Sequence, residues 1–162
     1  MTERNQVMYP SHDNQERSYK DYIEVGMSEW KIARPGTLLL TEGLGPCIGL
    51  AIYNSKRKIA AMGHYPAASY TTNVIASNVR KFLTNSSIED IKVYIRGGYL
   101  FRDYNVIADR EAMIDILQQA GLNESQIDIL WTENPDDFAA MNIDPKDGKF
   151  NYIIANEFDG QF

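Results

Sequence analysis

Hydrophobic positions along the chain alternate with polar ones in several short runs and recur at helical spacing in two longer ones. Residues 1 to 20 carry Asn, Gln, Glu, Arg, Ser and His and little that a core would take up, so they read as a flexible tail with His12 inside it. From Tyr22 the texture changes. Tyr22, Ile23, Val25, Met27, Trp30 and Ile32 mostly alternate with polar residues, as a half-buried strand does. Pro35 and Gly36 punctuate the chain before a second strand, Thr37 to Thr41. The turn-forming stretch Glu42-Gly43-Leu44-Gly45-Pro46 then delivers Cys47 to an apolar strand, Cys47 to Tyr53. After a polar turn, Asn54 to Arg57, the chain returns as Lys58 to His64, which makes a hairpin.

Past Pro66 the period becomes helical. Thr71 or Thr72 suits an N-cap, and Val74, Ile75, Val79, Phe82 and Leu83 share one face. A strand over Ile91 to Arg96 ends at Gly97-Gly98. A second helix is predicted with Asp109 as its cap, the stripe Ala112, Met113, Ile116, Leu117 and Ala120, and Gly121 at C′. Strands at Ile127 to Thr132 and Phe150 to Ala155 flank a segment carrying Pro135, Pro145 and Gly148. With no repeat and no linker, residues 21 to 162 read as one α+β domain, about two helices against a mostly antiparallel sheet.

A length of 162 residues suits this, and 44% hydrophobic with 23% charged residues is ordinary globular composition. The net charge of −6 argues against nucleic acid. No apolar stretch approaches the ~20 residues of a membrane helix, and the polar N-terminus lacks a secretory apolar region. The expectation is a soluble cytoplasmic protein without membrane insertion. Asp136, Asp137, Asp144 and Asp147 do not fit a calcium loop, so no metal is assigned to them.

The single cysteine, Cys47, rules out an internal disulfide and asks for a role. If Asn54 to Arg57 is the loop, Tyr53 faces Lys58 and Cys47 faces His64 across the hairpin, ~5 Å apart at Cβ. An imidazole there can take the thiol proton and hold the thiolate. Backbone N–H groups around the glycine-rich turn, near Gly45, Pro46 and Ile48, can face a developing oxyanion. Thr41 can accept a hydrogen bond from the far imidazole nitrogen. Two readings of Cys47 stay open from these residues: a small buried hydrophobe beside a backbone-bonded histidine, or a nucleophile with its base.

The run Leu39-Leu40-Thr41-Glu42-Gly43-Leu44-Gly45-Pro46-Cys47-Ile48-Gly49-Leu50, followed by Lys58-Ile59-Ala60-Ala61-Met62-Gly63-His64, resembles the signature of the CheD family of chemoreceptor glutamine deamidases. That family places a threonine six residues before a cysteine and a histidine seventeen residues after it, and Thr41, Cys47 and His64 reproduce both spacings. Val25-Gly26-Met27, Arg34-Pro35-Gly36 and Gly97-Gly98 also look like family elements. The resemblance implies a layered α/β/β sandwich, shared with the catalytic domain of cytotoxic necrotizing factor. It implies a cofactor-free conversion of protein glutamine to glutamate, with Cys47 as nucleophile, His64 as base and Thr41 orienting His64. Tyr65, Gly97 and Gly98 become candidates for a substrate face, a chemoreceptor the substrate, and a CheC-like phosphatase a candidate adaptor. Pro46 replaces the family's serine and removes one N–H beside the nucleophile. It motivates a second reading, a catalytically weak binding module.

Overall fold

A computed structural model describes residues 21–66, 72–101 and 105–156. The predicted tail at 1–20, His12 and Thr71 lie outside the described residues. The described chain forms nine strands and two helices. The strands are β1 Tyr22–Glu24, β2 Trp30–Ala33, β3 Leu38–Leu44, β4 Ile48–Asn54, β5 Ile59–Tyr65, β6 Ile91–Gly97, β7 Ile127–Trp131, β8 Asp137–Ile143 and β9 Phe150–Asn156. The helices are α1 Thr72–Leu83 and α2 Val106–Gln119.

Strands order as β1-β3-β8-β9 in one sheet and β2-β5-β4-β6-β7 in the other. Five of the seven pairings are antiparallel; β1 with β3 and β6 with β7 are parallel. The parallel β6–β7 pair needs a crossover, and α2 supplies it. Among the described residues, no helix is long and apolar enough to cross a membrane.

Period-two alternation on β4 and β5 makes the five-stranded sheet a shared wall. Ile48, Leu50, Ile52, Ile59, Ala61 and Tyr65 face the helices, packing with Ile75, Val79, Phe82, Met113 and Leu117. Cys47, Ala51, Tyr53, Ala60 and Met62 face the other way, into a second core with Leu39, Leu44, Met141 and Ile143 of the four-stranded sheet. The result is the expected layered α/β/β sandwich.

Three local expectations are corrected. The predicted strand from Tyr22 to Ile32 is two strands in different sheets. Ser28 takes φ 67° and the Gly26 N–H donates to Glu29 Oε2 at 2.7 Å, so a turn carries the chain from one sheet to the other. The cap of α2 is Asn105, whose side chain accepts from the Ala108 N–H, while Asp109 sits inside the first turn. The segment between β7 and β9, to which the sequence pattern assigns no strand, contains β8, an interior strand pairing with both β3 and β9.

Candidate active site

The site grows from a defect in β3. Pairing with β8 shifts register between Thr41 and Leu44, where Gly43 takes φ 72°. The bulge turns the chain sharply, and the Gly45 N–H closes onto the Gly43 carbonyl at 3.1 Å. Cys47 emerges buried at 7% exposure on the inter-sheet face.

Beyond β6 the backbone fastens this loop. The Gly98 N–H donates to the Cys47 carbonyl at 2.8 Å and the Tyr99 N–H to the Gly45 carbonyl at 2.9 Å. Gly97, at φ 87°, has to be glycine because a Cβ there would collide with the Cys47 carbonyl oxygen.

His64 opposes Gly49 rather than Cys47. The expected register is displaced because Asn54 ends β4 from within it: its Oδ1 accepts the Lys56 N–H at 3.1 Å and the Arg57 N–H at 2.9 Å. The loop becomes Ser55 to Lys58, with Lys58 at φ 52°. Moving the loop by one residue shifts each partner by two and leaves every side chain on its face. Cys47 and His64 therefore share the inter-sheet face as diagonal neighbours, a relation that puts them ~7 Å apart at the backbone. Gly49 offers no side chain between them, and the space a Cβ would take is filled by Leu44 and Met141.

His64 is 4% exposed and held on three sides. Its N–H donates to the Glu29 carbonyl at 3.2 Å and its carbonyl accepts from the Ser28 N–H at 2.7 Å. Its Nδ1 lies 2.8 Å from Thr41 Oγ1, and that hydroxyl donates its one proton to the Val25 carbonyl at 2.6 Å. Thr41 can then only accept from the ring, so the proton count assigns the hydrogen to Nδ1 and the lone pair to Nε2. Burial lowers the His64 pKa from 6.5, so the ring is neutral near pH 7. Nε2 is buried without a hydrogen-bond partner, so no bond joins it to Cys47 in this resting arrangement. A neutral imidazole with its lone pair on a buried Nε2, on the sheet face that also carries a thiol, can take a proton once the two approach.

The remaining candidates separate. Gly45 is buried and its carbonyl is engaged; Pro46 is half-buried; Ile48 turns its side chain to the helices. Tyr65, Gly97 and Gly98, expected on a substrate face, are buried, as Cys47 and His64 are. Tyr65 alternates with His64 and so points to the helix layer, where its hydroxyl accepts from Asn78 Nδ2 at 3.4 Å and burial pushes its pKa up to about 12. The acids near the C-terminus shape turns: Asp144 Oδ1 accepts from the Lys146 N–H and Asp147 Oδ1 from the Lys149 N–H. Among the described residues no group of three or more His, Cys, Asp or Glu could hold a metal ion. Sequence reasoning missed Val25, whose carbonyl takes the Thr41 proton. Its only signal is the Val25-Gly26-Met27 run.

No family model matches the chain. The probable chemoreceptor glutamine deamidase CheD of Clostridium novyi is 40% identical over 63 residues, 39% of this chain and 39% of that protein. The same-named protein of Clostridium acetobutylicum is 26% identical over 126 residues, 70% of this chain and 74% of that protein. The chain is similar to CheD proteins over these stretches. Its match spans about two fifths of the length of several curated CheD relatives. In architecture it is similar to YlmD from Geobacillus stearothermophilus, with a TM-score of 0.50 and 14% identity over 63% of this chain and 49% of that one, a likeness of fold alone.

Proposed function

We propose that the chain is a protein glutamine deamidase in which Cys47 is the nucleophile, His64 the general base and acid, and Thr41 the group that orients His64. The observation carrying this reading is Thr41 Oγ1, bonded to both His64 Nδ1 and the Val25 carbonyl, which leaves Nε2 as the basic nitrogen. In the reaction, Nε2 takes the Cys47 thiol proton and the thiolate attacks the side-chain carbonyl carbon of a glutamine. Imidazolium then gives its proton to the leaving ammonia, and a thioester remains. Water, deprotonated by the same Nε2, adds to the thioester; collapse returns the thiol and releases glutamate. Backbone N–H groups of the Cys47 loop are the proposed donors to the oxyanion.

The substrate proposed is a chemoreceptor in the cytoplasm, by extension from the names of the CheD relatives. Pro46 favours a second reading, a binding module engaging a CheC-like adaptor with little turnover. Against it, the loop is fastened through the carbonyls of Gly45 and Cys47, a fastening that does not use an N–H at residue 46. Alkylation of Cys47 at neutral pH, followed in the wild type and in His64→Ala, tests the proposal. Fast labelling that slows in the variant supports it; a pH profile matching an unassisted thiol in both overturns it. Ammonia release on incubation with receptor fragments separates an enzyme from a binding module.

A further inference from the structure

Arg110 lies in the first turns of α2, on the far side of β6 from Cys47, and its signal in the sequence is slight. Its Nε–H donates to the Gly98 carbonyl at 2.8 Å, and its guanidinium stacks over the Trp131 ring with Cζ 4.7 Å from the centroid. That ring fills the place where a Gly98 side chain would go, which fixes the approach of Arg110 from above. The Gly98 carbonyl and the Tyr99 N–H belong to one peptide group, and the Tyr99 N–H holds the Gly45 carbonyl at 2.9 Å. The neighbouring peptide group repeats the pattern. Its Gly97 carbonyl accepts from the Thr132 N–H at 2.9 Å while its Gly98 N–H holds the Cys47 carbonyl at 2.8 Å.

Two successive peptide groups therefore each receive a hydrogen bond from behind and pass one forward to the loop that carries Cys47. A charged donor on the first carbonyl polarises the peptide and strengthens the bond its N–H makes in turn. The two carbonyls so held flank Pro46, a residue without an N–H, so the loop depends on this fastening for its shape.

We propose that Arg110 is a positioning residue for Cys47, acting through the Gly98–Tyr99 peptide to hold the Gly45-Pro46-Cys47 loop where His64 Nε2 can reach the thiol. The proposal rests on the reading of Cys47 as nucleophile. It assigns no contact between Arg110 and substrate.

The test is the rate of Cys47 alkylation by iodoacetamide as a function of pH in the full chain, with Arg110→Ala and Arg110→Lys, alongside amide hydrogen exchange at Tyr99. Misplacing a reacting group by about an ångström costs up to about a hundredfold, so Arg110→Ala is expected to slow labelling at neutral pH by tenfold or more. Its pH profile moves toward that of an unassisted thiol, Tyr99 exchanges faster, and thermal unfolding remains cooperative. Arg110→Lys keeps the charge without the planar fork and recovers part of the rate, and added ethylguanidinium restores part of it to Arg110→Ala. A rate and pH profile unchanged in Arg110→Ala overturn the proposal. Should that variant not fold, Arg110→Lys decides: slowed labelling supports the proposal and wild-type labelling overturns it. An unassisted Cys47 in the wild type overturns the deamidase reading and this one together. An activated Cys47 indifferent to Arg110 overturns this one alone.

Discussion

Thr41 has one hydroxyl proton, and two buried groups compete for its oxygen: the Val25 carbonyl, which takes the proton, and His64 Nδ1–H, which takes a lone pair. Thr41→Val removes both bonds at once, leaving two buried polar groups without partners. We expect a stability loss of about 1–3 kcal/mol by denaturant unfolding and a slower Cys47, whereas Thr41→Ser keeps both. His64 sets a pH dependence of the opposite sign to a salt-bridged histidine. Its folded pKa lies below 6.5 because burial disfavours the charged ring, so the unfolded chain binds the proton more readily. Stability is then fully present above about pH 6.5 and is lost as pH falls from there through the native value. Unfolding measured at about pH 7.5 and about pH 5.5 should show the loss in the wild type and a smaller one in His64→Gln. At this scale the spacing of Thr41, Cys47 and His64 makes the candidate site legible. Arg110 and the Val25 carbonyl are not, because a bond to a backbone carbonyl leaves no pattern in side-chain chemistry.

At the scale of elements, side-chain faces survive errors of register. The sequence pattern places the hairpin loop one residue early, because Asn54 is a turn residue that acts from inside the last pair of β4. Side-chain faces are the same in both registers, since each partner differs by two positions. The strand β8 is hard to see in the sequence because its apolar run is short and sits among Pro135, Pro145 and Gly148, although Ala139, Met141 and Ile143 alternate onto the inter-sheet core. The start of β1 and β2 read as one strand because local alternation does not say where a chain changes sheets. Gly97 is the element-level weak point. Gly97→Ala combines an unfavourable positive φ with a collision against the Cys47 carbonyl. We expect a loss of about 2 kcal/mol or more in denaturant unfolding, accompanied by slower alkylation of Cys47 as the loop is pushed from β6.

For the whole molecule, one sheet separates two tasks. Its helix-facing side is a broad apolar core that contributes stability, while its other side, shared with the four-stranded sheet, carries Cys47, His64 and the contact to Thr41. The three-layer plan was legible because helical and strand periods alternate along the chain; which side would hold the site depended on long-range pairing of β3 with β8. Site-resolved mass spectrometry of a chemoreceptor cytoplasmic fragment incubated with the protein tests the central claim most directly. The account predicts conversion of specific glutamines to glutamate by the wild type, none by Cys47→Ala, and conversion slowed by at least about a hundredfold in His64→Ala. Glutamate formed equally by Cys47→Ala and the wild type would contradict it.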